Sequence, residues 1–195
     1  YVHKQVKFME THPYLGKARG SLSLVKTGNL VADLQLLSYI DEIKNKNQPK
    51  ISGIGGSICR VKAIIDAGGF DKNIKGAGED VDLAIRMHSK GWRSSVSNAY
   101  FIHIPKKSWK KLWTQYFWYG YGAHYISHKH KMSSISLARS PPVALAVSVK
   151  KSIVAFKFTL KKESFFLPVF FLISSLAWWI GFLIAHLDKY HPSKN

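Results

Sequence analysis

The sequence predicts an α/β domain followed by basic amphipathic helices and one long apolar helix. Three observations lead there. The first forty residues alternate helical and strand periodicities, the order that gives layered α/β packing. A glycine-punctuated stretch from Ile51 to His103 then ends on a helix pattern and a strand pattern. Beyond Lys106 the composition turns basic and aromatic, and it closes on a run from Phe165 to Leu187 with no Asp, Glu, Lys or Arg.

The elements follow in order. HKQVKFMETHP is apolar at Val2, Val6 and Met9 and stops before Pro13, which suits a short amphipathic helix. ARGSLSLVK alternates Leu22 and Leu24 with Ser21 and Ser23, a strand pattern. Val31, Leu34, Leu37 and Ile40 lie at helical spacing, and the polar KNKNQPK after them reads as a linker. In GIGGSICR, Gly53, Gly55 and Gly56 permit either close backbone approach to a ligand or plain turns. A helix from Glu79 to Lys90 places Leu83, Ala84 and Met87 on one face and stops at Gly91, and SSVSNAYFIHI reads as a strand ending near His103.

In KKSWKKLWTQYFWYGYGAHY, Lys106, Lys107, Lys110 and Lys111 interleave with Trp109, Trp113, Phe117 and Trp118. Such a helix suits a membrane interface, and the same mixture of rings and cations suits single-stranded nucleic acid. After Pro141-Pro142, VALAVSVKKSIVAFKF is apolar but interrupted by Lys150, Lys151 and Lys157, which places it on a membrane surface. Phe165 to Leu187 exceeds the roughly 20 residues that cross hydrocarbon, so it reads as a single transmembrane helix. Trp178-Trp179 would then lie deep in the bilayer, which calls for a helix partner or a re-entrant path. Lys150, Lys151, Lys157, Lys161 and Lys162 precede the run and only Lys189 and Lys194 follow it. The expected location is therefore a single-pass membrane protein whose preceding domain is cytoplasmic.

Composition bounds the function. With 195 residues and 46% hydrophobic content the chain has enough apolar material for a packed core. A net charge of +18 points to an anionic partner, whether nucleic acid, anionic lipid or a phosphorylated small molecule. The acids are unevenly placed: after Glu79, Asp80 and Asp82 no carboxylate appears until Glu163. Cys59 has no partner cysteine in this sequence, so nothing points to a disulfide scaffold or a cysteine-based zinc site. The chain opens directly on a helix pattern, with neither an initiator Met nor a signal-peptide pattern, and reads as a fragment whose beginning is missing.

The strongest chemical signal is Gly78-Glu79-Asp80-Val81-Asp82-Leu83 at a helix start. Carboxylates in a first turn complement the helix macrodipole, and that plain reading competes with catalysis. Glycine-lined loops, a helix-start carboxylate and the strand-end His103 together suit a polyphosphate-and-metal site.

The run GIGGSICRVKAIIDAGGFDKNIKGAGEDVDLAIRMHSKGW, then FIHIPKKSW and the YGYG segment, resembles glycosyltransferase family 2 with its GT-A fold. The pairing of GGFD with GEDVDL at this spacing carries the resemblance. It implies that Asp80 is the general base that deprotonates an acceptor hydroxyl, that Glu79 orients the acceptor, and that Gly55 and Gly56 meet the substrate. By the same resemblance His103 is a ligand to a divalent cation, Mn²⁺ or Mg²⁺, and Asp82 is structural. The family's nucleotide-sensing first strand and its Asp-x-Asp element are missing, so the chain corresponds to the C-terminal half of the GT-A domain and is expected to be inactive alone. The Arg-Trp signature of processive members is also missing, since Tyr116-Phe117-Trp118 follows Gln115. His124, His128 and His130 offer a metal-cluster reading, since the first two lie at helical spacing, but without acidic or cysteine partners they read as surface histidines of a basic helix; Arg60 and Asp71 read as residues that fix local turns.

The expected organisation is a partial catalytic domain over 1–105, basic interfacial helices over 106–162, and the transmembrane helix with a short tail over 163–195. The expected reaction moves a sugar from a nucleotide-diphosphate donor to a hydroxyl acceptor, a lipid-linked one included, with inversion and without a nucleic-acid partner. Two rival readings use the same residues: a non-catalytic module that binds a membrane surface, and a basic nucleic-acid-binding protein.

Overall fold

The computed structural model describes residues 1–44, 53–132 and 139–192, so most of the KNKNQPK linker lies outside the described residues. The chain is mixed α/β and divides into two compact units: Tyr1–Leu24, Glu42–Lys72 and Gly78–His103 form one; Val25–Asp41, Asn73–Ala77 and Ile104–Asn195 form the other.

The first unit holds α1 (Val2–Glu10), β1 (Leu15–Ser23), β2 (Ser57–Cys59), α4 (Val61–Asp66), α5 (Glu79–Ser89) and β3 (Arg93–Ile102), with α3 (Ile40–Lys44) at the boundary and α2 (Leu30–Leu37) in the other unit. Its three-stranded sheet runs β2-β1-β3, with β1 antiparallel to β2 and parallel to β3. The central strand is the most buried: Leu15, Ala18 and Leu22 are sealed from water. Met9, Leu15 and Ala18 pack with Phe8 and Ile58, while Ala63, Ala67, Leu83 and Met87 pack with Ile64 and Trp92. Each large side chain so buried contributes about 1.5–3 kcal/mol.

Helix α1 turns a different face inward from the one its apolar spacing predicts. Val2 and Val6 are 67% and 38% exposed, whereas Gln5 is buried beside Met9. The Gln5 side-chain amide donates to Tyr1 Oη at 2.8 Å, and its carbonyl accepts from Ser97 Oγ at 2.7 Å. Because its amide is hydrogen-bonded at both ends, Gln5 can replace an apolar residue in the core at little cost. Arg60 ties the end of α1 to the start of β1, donating to Met9 O at 2.8 Å and Leu15 O at 3.0 Å. The strand accordingly begins at Leu15, ahead of its clear alternation.

The second unit is helical: α2, α6 (Trp109–Lys129), α7 (Pro141–Thr159), a 3₁₀ turn (Lys162–Phe166) and α8 (Leu167–Leu187). Asn29 caps α2, its side chain accepting from Ala32 N at 3.0 Å. Helices α6 and α8 meet backbone to backbone. A Cβ at Gly120 would collide with the Trp178 carbonyl, and one at Gly181 with the Phe117 carbonyl. Trp178 is consequently 2% exposed and stacks on Phe182 at 5.2 Å. The apparent misfit of Trp178 within an apolar run is thus met by a helix partner.

Helix α7 presents the small residues Ala144, Ser148, Ser152 and Ala155 inward and leaves Val143, Val147 and Ile153 outside. Its Lys151 reaches Asp41 at 2.9 Å and donates to Ser38 O at 3.2 Å. Among the described residues one helix, Lys162–Leu187 taken with its 3₁₀ turn, is long and apolar enough to cross a membrane. Along α8, Val169, Leu172, Leu176, Ile180, Leu183 and Leu187 form an exposed stripe at helical spacing.

Candidate active site around Asp80

Helix α5 starts on Gly78, whose φ of +108° is open to glycine and strained for other residues. Its first turn carries Glu79, Asp80 and Asp82, and their environments differ sharply. Asp82 is fully buried, and Arg86, one turn on, donates to its Oδ2 through Nε at 2.9 Å and Nη2 at 2.7 Å. Arg86 also donates to the Ala67 carbonyl, fixing α5 against the end of α4. Asp82 is therefore held as part of the fold.

Asp80 is turned toward the glycine loop. Its Oδ2 accepts the Ile54 N–H at 3.0 Å, and its Oδ1 accepts its own neighbour's N–H, Val81, at 2.8 Å. Gly53 makes this possible, because a Cβ there would fall on the Asp80 carboxylate. Each oxygen retains a further lone pair, so the carboxylate can still accept from a third donor. The contact joins two motifs that lie far apart in the chain.

The rest of the loop is equally defined. A Cβ at Gly55 would meet open space, while the Gly55 carbonyl accepts from Arg19 Nε at 3.0 Å. Gly56 has φ of +65° and lies against the Phe101 ring; its carbonyl accepts from Gly20 N at 2.9 Å and from Tyr1 Oη at 2.5 Å. Gly56 thus serves the loop's own conformation, and Gly55 is the one with open space beside it. Glu79 is exposed beside Asp80, and His103 stands just after β3, partly exposed.

Sequence reasoning passed over Lys17. It lies on the central strand opposite Cys59 of β2 and is 2% exposed. Burial pushes its ammonium below the ordinary lysine range, while Cys59 and Asp80 pull the other way. Burial likewise raises the Cys59 thiol, opposed by Lys17. The sole signal in the sequence was a Lys set between the small residues Gly16 and Ala18, which carries no periodicity of its own.

The histidines of α6 require a correction. His124 is 1% exposed, not a surface residue, and His186 of α8 stands with His124 and His128. The comparisons with known families, curated proteins and solved structures give no match for this chain.

Replacing Arg86 by Met removes the guanidinium from a buried carboxylate. The expected loss is about 3–5 kcal/mol of stability, read by chemical denaturation. A loss below about 1 kcal/mol would show that Asp82 is not held by this pair.

Proposed function

We propose that this chain is the acceptor half of a membrane-attached glycosyltransferase of the GT-A type, related to family 2, with Asp80 as its general base. The observation that carries the reading is the seat of Asp80 on the Gly53-Ile54 peptide. It sets a carboxylate at a helix start against a glycine loop, and open space adjoins the loop at Gly55.

In the reaction proposed, the acceptor hydroxyl oxygen forms a bond to the anomeric carbon of the donor sugar. The bond from that carbon to the diphosphate breaks, and its electron pair leaves with the nucleoside diphosphate. The hydroxyl proton passes to a free lone pair of Asp80, for which it must lie within about 2.6–3.2 Å. Held by two backbone N–H groups, the carboxylate needs no reorganisation as the proton arrives. Glu79, exposed on the same turn, orients the acceptor.

The family likeness also implies Mn²⁺ or Mg²⁺ with His103 as a ligand. The likeness assigns Asp80 to the proton and His103 alone to the ion, and a single imidazole does not make a site for an oxygen-preferring ion. No step is therefore derived through the metal.

Membrane attachment is assigned to α8 and its exposed stripe. The basic flank alone favours a crossing with the preceding side cytoplasmic. The contacts at the two ends of α8 favour a helix lying lengthwise in one leaflet. At its start, α2 packs against α8 and the 3₁₀ turn, and Lys161 lies 4.0 Å from Asp33. Beyond its end, Tyr190 donates to Asn73 O at 2.9 Å and accepts from Lys75 N. A crossing helix would put these segments in different aqueous phases. The chain joining them, with Arg60, Lys62, Asp66 and Lys72, would then have to cross as well, at about 2.5–3.5 kcal/mol for each charge at the bilayer centre.

Two measurements test these readings. Asp80→Asn in the full-length protein should lower turnover on the order of 100- to 10,000-fold with donor affinity retained; near-normal turnover would remove Asp80 from the chemistry. For the membrane, Lys26→Cys and Lys189→Cys, each in a Cys59→Ser background, should react with an impermeant maleimide from the same side of sealed vesicles. Labelling from opposite sides would restore the crossing.

A further inference from the structure

Helices α6 and α8 bring three imidazoles together at their C-terminal ends. His124 and His128 lie one turn apart on α6, and His186 lies in the last turn of α8. One ring nitrogen from each falls within 4.8 Å of the other two. From this geometry we propose a zinc site, with His124, His128 and His186 as ligands and water in the fourth position. It is independent of the transferase reading.

The argument begins with His124. Its Nδ1 lies 2.8 Å from the Tyr190 carbonyl oxygen, which can only accept, so Nδ1 carries the hydrogen and Nε2 presents its lone pair. A ligand histidine oriented by a backbone carbonyl is the usual outer support of a metal site. The ring is clamped edge-on to Phe182 at 4.9 Å.

The spacing fits zinc. Bonds of about 2.0–2.1 Å in a tetrahedral site place neighbouring ligand nitrogens about 3.3 Å apart. His124 Nε2 and His186 Nδ1 are separated by 3.3 Å, with the two rings tilted at 67°. That separation is long for a hydrogen bond between neutral imidazoles and correct for two ligands of one ion. The His128 ring lies 4.6 Å from that of His124, and its exposed side chain can close the remaining gap by a rotamer adjustment.

The donor set selects the ion. Three imidazoles with no carboxylate among them suit borderline ions such as Zn²⁺ and suit Mg²⁺, Ca²⁺ or Mn²⁺ poorly. The position gives the site its role. Its ligands come from α6 and α8, and through Tyr190 it reaches the segment that holds Asn73. Zinc here would fasten the ends of the two helices that meet at Gly120 and Gly181.

The test uses the metal alone. Metal-free protein in detergent micelles is titrated with Zn²⁺ against a chromophoric chelator, and Tm is followed alongside. The expected result is one equivalent bound with a rise in Tm. His186→Ala should weaken binding by more than the roughly 10- to 100-fold that loss of a mere orienting partner costs. His88→Ala, on α5, should leave it unchanged. His124→Ala should abolish binding; because that buried residue also packs, the exposed His128→Ala and His186→Ala variants carry the decision if it does not fold. Co²⁺ in place of zinc should give the visible absorption of a tetrahedral site. No binding by the metal-free protein, or binding that both exposed variants leave unchanged, overturns the site.

Discussion

A missing side chain at position 53 lets the carboxylate of Asp80 rest on the Ile54 peptide. The rest of the first unit can be understood as what keeps those two segments in register. The loop is carried by β2, which pairs antiparallel with the buried centre of β1. Gly56 anchors it from the other side through Gly20 and Tyr1. The helix is fixed by Gly78 at its start and by Asp82 of its first turn paired with Arg86 one turn on, so neighbouring carboxylates divide the work. One is sealed into the fold with a guanidinium, and another stays at the surface of the loop with lone pairs unspent.

The second unit is governed by a different constraint, the close approach of α6 and α8. Glycine on both helices brings the backbones together, and the large aromatic side chains fill the flanks of the seam. In hydrocarbon or at its edge, where burial of apolar surface offers little drive between helices, such packing is what holds a pair together. On the membrane attachment proposed above, the outward stripe of α8 and the outward valines of α7 are the surface left for lipid. The basic residues of this unit are not all free for headgroups, since Lys151 is engaged by Asp41 and Ser38. Formal charge alone thus overstates the electrostatic attraction to an anionic surface.

Much of the organisation was readable where periodicity is strong. The α5 helix between Gly78 and Gly91, the strand before His103 and the apolar run of α8 all lie where spacing and glycine punctuation put them. The failures share a cause: they involve polar residues whose burial depends on partners remote in sequence. Gln5 is buried because Ser97 and Tyr1 meet it, and no local pattern announces that. His124 is buried because Tyr190 and Phe182 close over it. Lys17 is buried on a central strand that begins before its alternation does. The neighbourhood of Asp80 was partly visible, since both GIGG and GEDVDL stood out, but their direct contact is a tertiary fact.

The most direct test of the central claim is a double-mutant cycle on turnover in the full-length protein, using Gly53→Ala and Asp80→Asn alone and together. If Gly53 acts by seating Asp80, the alanine lowers turnover in the parent and adds no further loss once Asp80 has become Asn. Losses that multiply, or a Gly53→Ala protein with parental turnover, would contradict the account.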